Sequence, residues 1–127
     1  MLILKSIVFI LLTQIIFAMD NNAYTTLSPE AFQEAIESPD VITVDVRQPD
    51  EYASGHIENA INIDVKEEDF LNKVESQLPK DKVIAVYCRS GKRSAMAAEM
   101  LTEKGYKVLN LEGGIEDWKS RNLPIKI

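Results

Sequence analysis

A chain of 127 residues, 46% hydrophobic and 27% charged, has room for one domain around a single core and little length for a second. Its 14 Lys and Arg against 20 Asp and Glu give a net charge of −6, which disfavours nucleic acid and anionic membrane surfaces as partners. One cysteine, Cys88, excludes an intramolecular disulfide framework, and one histidine, His56, leaves a metal site short of its usual ligands; no metal and no cofactor is expected.

Met1 to Lys5 is weakly positive, and Ser6 to Ala18 is almost wholly apolar, broken only by Thr13 and Gln14. This pattern reads as a secretory signal peptide over residues 1–18, followed by a domain over 19–127. A cut after Ala18 is the preferred site. Ile16 is bulky for its position before that cut, so cleavage nearer Ala23 and an uncleaved N-terminal anchor are the alternatives. Loss of residues 1–18 removes Lys5 alone among the charged residues, leaving 13 bases and 20 acids, a net charge of −7. The expected product is exported, periplasmic in a Gram-negative host and otherwise secreted. It would have no cysteine-borne lipid and no stable membrane association after signal removal.

Tyr24 to Leu27 suits a short strand. Ser28-Pro29-Glu30 then opens a helix with a serine cap, proline at the first helical position and an acid in the first turn, while Leu27 and Phe32 have the spacing of a hydrophobic staple. That helix carries Phe32, Ala35 and Ile36 on one face and stops at Ser38-Pro39. Val41 to Val46 is a β-branched run that suits a buried parallel strand, Arg47 to Gly55 reads as irregular, and Ala60 to Ile63 as another short strand. Asp64 with Glu67 has the spacing of a capping box for a helix with Phe70, Leu71, Val74 and Leu78 as its apolar stripe, ended by Pro79. Val83 to Tyr87 is the most continuous apolar strand. A helix over Ala95 to Lys104 closed near Gly105, a strand over Val108 to Leu111, a Glu112-Gly113-Gly114 turn and a helix over Ile115 to Ser120 complete the order.

Strands alternating with helices predict an α/β fold with a mostly parallel central sheet of about five strands and helices on both faces. In such sheets functional groups gather at the carboxyl ends of the strands, where Cys88 stands. It heads Cys88-Arg89-Ser90-Gly91-Lys92-Arg93-Ser94, a lone thiol followed by a cationic turn and a helix start. A helix N-terminus and adjacent Arg and Lys are surroundings that lower a thiol pKa and favour the reactive thiolate. A loop curling around the sulfur would turn its backbone N–H groups inward as an anion cradle, with Gly91 permitting the backbone angles this needs.

With this loop, Asp45-Val46-Arg47, Glu51-Tyr52-Ala53-Ser54-Gly55-His56-Ile57, Ala60-Ile61-Asn62-Ile63 and Leu111-Glu112-Gly113-Gly114-Ile115 followed by Trp118, the chain resembles the single-domain rhodaneses, or thiosulfate sulfurtransferases. The matching pieces run in that family's order over about residues 24–125. The resemblance implies a rhodanese-like fold and a ping-pong sulfur transfer. Cys88 would take the outer sulfur of thiosulfate or a similar small anionic donor as a persulfide and pass it to cyanide or a thiol. Arg89, Ser90, Gly91, Lys92, Arg93 and Ser94 would bind the donor, its oxygens meeting the arginines' paired N–H groups, and the protein would act as a monomer. His56, in a segment generally structural in that family, is expected to be a hydrogen-bonding loop residue. Asp45 and Arg47 are expected to form an ion pair, structural rather than one that holds the loop beside the active site, and Trp118 is expected to pack.

Two alternatives stand beside this reading. One is a carrier that holds a persulfide for a partner without efficient turnover. The other is Cys-dependent phosphatase or arsenate reductase chemistry, disfavoured because Arg93 lies five positions after Cys88, a Cys-x4-Arg loop one residue shorter than the phosphatases'. Thioredoxin-like exchange lacks a resolving cysteine.

Overall fold

The computed structural model describes residues 23–127; the expected signal segment, residues 1–18, lies outside them. Five strands, β1 (Thr25–Leu27), β2 (Val41–Asp45), β3 (Ile61–Asn62), β4 (Val83–Tyr87) and β5 (Lys107–Leu111), pair in the order β1-β5-β4-β2-β3, every pair parallel. Five helices connect and follow them: α1 (Pro29–Ile36), α2 (Pro49–Ser54), α3 (Phe70–Gln77), α4 (Lys92–Glu103) and α5 (Gly114–Ser120). The expected α/β architecture is the one formed.

Strand periodicity divides the core. On β4, Val83, Ala85 and Tyr87 point to one face and meet Phe32, Ala35, Ile115 and Trp118 of α1 and α5. Ile84 and Val86 point to the other, against Phe70 and Val74 of α3 and Ala97, Ala98 and Leu101 of α4. Both faces are therefore covered, which is why β4 is apolar throughout rather than alternating.

Most local signals act as expected. The Ser28 hydroxyl accepts from Ala31 N–H at 3.3 Å, and Leu27 packs on the cluster that contains Phe32. Three expectations need correction. The stretch read as irregular contains α2, a short helix with Pro49 at its first position and Gln48 N–H bonded to the Glu51 carboxylate at 3.3 Å; it buries no residue and so shows no apolar period. Asp64 does not cap α3. It accepts from Lys66 N–H at 2.9 Å while Val65 N–H is held by the Val46 carbonyl, so the chain stays in turns until Phe70, and Glu67 pairs with Lys73 instead. Finally, α4 begins at Lys92, not Ala95, which puts Lys92, Arg93 and Ser94 on its first turn.

The strand order sets the place of the site. From β2 the chain goes on to β3 on one side, and from β4 to β5 on the other, so the connections diverge between β2 and β4. A crevice outside the carboxyl ends of two strands at such a divergence is where ligands settle in open α/β sheets. Cys88 follows β4 directly, and α2 follows β2 across the gap.

Candidate active site

The Cys88 side chain is drawn into the fold, with the residue only 1% exposed, and Gly91 N–H donates to its sulfur at 3.1 Å. Burial is the largest single influence on the thiol and pushes its pKa up. Hydrogen bonding from the Ser94 hydroxyl and from the N–H groups of Ser94, Gly91 and Ser90 opposes it, and the balance lies below the ordinary thiol value. The Ser94 hydroxyl has one proton and also faces the Gly91 carbonyl at 3.1 Å, so an ionised sulfur competes with that carbonyl for it.

The N–H groups can face the sulfur because the loop's carbonyls are held from outside. Cys88 carbonyl accepts from Ile115 N–H at 2.9 Å and Arg89 carbonyl from Glu116 N–H at 3.1 Å, both at the start of α5. Gly114 makes this docking possible: a Cβ there would stand 2.3 Å from the Arg89 oxygen and 2.7 Å from that of Cys88. Gly91, with φ of +108°, turns the chain from the cradle into α4. The sequence marks Gly113-Gly114 only as a turn; the residue after a strand that must touch a second loop's backbone is visible only once the two loops are adjacent.

The three loop cations have different surroundings. Arg93 donates to both oxygens of Glu51, Nη1 to Oε1 at 2.7 Å and Nη2 to Oε2 at 3.0 Å, with the side chains 19% and 26% exposed. This fork holds the Glu51 carboxyl down to about 2 and raises the Arg93 pKa. Arg89 donates through Nε to Glu116 at 2.5 Å, but its side chain is 68% exposed. Lys92 is exposed and, among the described residues, forms no ion pair. The sequence places all three cations at the loop but not the carboxylates that meet two of them, Glu51 at Arg93 and Glu116 at Arg89.

The supporting residues lie one layer back. Asp45 and Arg47 are both buried and joined by Arg47 Nη2 to Asp45 Oδ2 at 2.7 Å, while the same guanidinium nitrogen donates to Gly55 carbonyl at 2.7 Å. The pair thus ties the end of β2 to the end of α2. Tyr87 accepts from Ile57 N–H at 3.0 Å, and burial together with the nearby Asp45 charge keeps its hydroxyl protonated. His56 Nδ1 lies 3.0 Å from the Tyr52 carbonyl, its ring stacks on Tyr52 at 3.8 Å, and its backbone pairs with Lys126. It is the hydrogen-bonded loop histidine expected. Trp118 is buried edge-on to Phe32, with its indole N–H bonded to the Pro124 carbonyl at 2.9 Å.

A buried thiol in a cradle of inward N–H groups at a strand's carboxyl end coincides with a match of residues 28–121 to the rhodanese-like domain. The chain belongs to the rhodanese family. A sulfurtransferase from Allochromatium vinosum is 40% identical over 94 residues, covering 73% of this rhodanese and 85% of the relative. Thiosulfate sulfurtransferase GlpE of Coxiella burnetii is 33% identical over 100 residues, covering 78% and 91%. The crystal structure of a rhodanese-related protein from Thermoplasma volcanium superposes with a TM-score of 0.72 at 35% identity, covering 81% of this rhodanese and 98% of that chain. The loop from Cys88 through the first turn of α4, and α5 behind it, lie within the matched residues.

Proposed function

We propose that this rhodanese transfers sulfane sulfur through a persulfide on Cys88. The observation that carries the reading is the cradle itself: inward N–H groups from Ser90, Gly91 and Ser94 around a sulfur whose pKa is lowered despite burial. With thiosulfate as donor, the Cys88 thiolate attacks the outer sulfur and forms a new S–S bond. The bond from that sulfur to the sulfonate breaks, and sulfite leaves as a dianion with the bonding pair. Charge is conserved, because one thiolate and one dianion become one persulfide anion and one dianion. The cradle donors stabilise the anion on Cys88 in both resting forms, and the same groups face the charge that develops as sulfite departs. Cyanide or a thiolate then attacks the outer persulfide sulfur, carrying it off as thiocyanate or a new persulfide and restoring the Cys88 thiolate.

The relatives named as sulfurtransferases support the reaction class, and the net charge of −6 with a local cluster of loop cations supports small anions as substrates. The apolar N-terminal stretch supports export of the chain, and Cys88 as its one cysteine leaves none near that stretch to carry a lipid. Mass spectrometry of the intact protein after thiosulfate treatment is expected to show one added sulfur on Cys88, none in Cys88→Ser, and sulfite released in equal amount. No adduct and no sulfite would refute the mechanism. Added sulfur that neither cyanide nor small thiols remove would identify a carrier instead of a turnover enzyme.

A further inference from the structure

Resting on the sulfur-transfer reading, the geometry points to Glu51 and Glu116 as residues that set the charge of the preferred donor, biasing the site against dianions and toward singly charged sulfane-sulfur donors such as organic thiosulfonates and persulfides. The loop carries three cations, Arg89, Lys92 and Arg93, which by themselves would make the mouth a strong receptor for a dianion. Two of them are already occupied. Glu51, on α2, takes both terminal nitrogens of Arg93 at 2.7 and 3.0 Å in a partly buried fork, and Glu116, on α5, takes Nε of Arg89 at 2.5 Å. Asp64 adds a further negative field at Arg93.

Arg89, Lys92, Arg93, Glu51 and Glu116 together carry one net positive charge. A donor therefore approaches a mouth that still favours anions, but less than the three cations alone would, and each negative charge it brings meets two carboxylates. The bidentate contact of Glu51 also uses one of the edges of Arg93, Nη1 with Nη2, through which a guanidinium offers paired N–H groups to oxygens. Neither carboxylate bonds the Cys88 sulfur, and whatever field they exert on it is shared by every donor and cancels in a ratio of donors.

Thiosulfate and methanethiosulfonate separate charge from chemistry. Both give their outer sulfur to a thiolate with rupture of one S–S bond, but the first is a dianion releasing sulfite and the second a monoanion releasing methanesulfinate. The experiment measures kcat/KM for both donors, with cyanide as acceptor, in the wild type, Glu116→Gln, Glu51→Gln and the double variant. Each single change is expected to move the ratio about threefold toward thiosulfate, the effect of one unit charge a few ångströms away in a water-like dielectric. The double variant is expected to move it about tenfold, and the shifts shrink at high salt. Glu116→Gln alters an exposed pair and keeps the test open should Glu51→Gln fold poorly. Ratios equal to wild type in variants that still load Cys88 would overturn the inference, because a merely structural role slows both donors alike. Failure of the wild type to take sulfur from either donor would instead overturn the sulfur-transfer reading, and this inference with it.

Discussion

Gly114→Ala is the sharpest test of how the cradle is held open. The added Cβ would lie 2.3 Å from the Arg89 carbonyl oxygen and 2.5 Å from its carbon, and Gly114 has a φ of +63°, where a side chain is strained. The φ strain costs roughly 1–2 kcal/mol. Relief of the clash requires the Cys88–Arg89 backbone and the start of α5 to separate by about 1 Å, which breaks the bonds from Ile115 and Glu116 to the loop carbonyls, about 1 kcal/mol each. The expected total is about 3–4 kcal/mol of stability, read from urea unfolding. A displacement of that size at the reacting group slows sulfur loading by about 100-fold, read as single-turnover sulfite release under conditions where the variant is folded. Gly105→Ala is the control: its φ is +92° but nothing lies within 4 Å of the new Cβ, so it isolates the backbone strain far from the loop. Gly105→Ala should lose about 1 kcal/mol and keep the wild-type loading rate. If Gly114→Ala loads sulfur at the wild-type rate and loses no more stability than Gly105→Ala, α5 does not hold the cradle and the reasoning fails.

Two further outcomes follow from the same geometry. Ser94→Ala removes the hydroxyl donor from the Cys88 sulfur, so the thiol should titrate at higher pH and alkylation by iodoacetamide at pH 7 should slow about tenfold; an unchanged pH profile would mean the hydroxyl serves only the Gly91 carbonyl. Glu51 is held at about 2 in the folded chain against an ordinary 4.5, chiefly by the Arg93 hydrogen bonds. Because the folded value is the lower one, the stabilisation is fully present above about pH 4.5 and is lost as pH falls toward 2. Discounted for its partial exposure it amounts to about 1–2 kcal/mol, and Glu51→Gln should flatten the acid limb of the stability curve in that window.

Much of the site was legible before any fold was drawn. The apolar run of β4, the glycine in the loop and the helix that follows announce themselves within a few residues, so Cys88 at a strand end and the cationic loop could be read directly. The His56 segment reads from sequence as supporting, and its stack on Tyr52 and contact with the Tyr52 carbonyl agree. What escaped reading were short elements whose stability comes from contacts rather than period. Helix α2 buries no side chain, and Asp64 had the spacing of a cap but serves a local turn, because Val65 N–H is held by β2's following residue instead of entering a helix.

Sequence alone determined the alternation of strands and helices, the thiol that carries the chemistry and the six-residue span from Cys88 to Arg93, since propensity, capping and turn chemistry act over a few neighbouring positions. Only the tertiary structure decided which carboxylates face those cations and what turns the loop's N–H groups inward. Arg93 meets Glu51 across 42 positions and Arg89 meets Glu116 across 27, distances closed by the parallel order that sets β4 between β5 and β2. Local rules cannot pair residues that far apart, because their proximity is a consequence of burying both faces of the sheet.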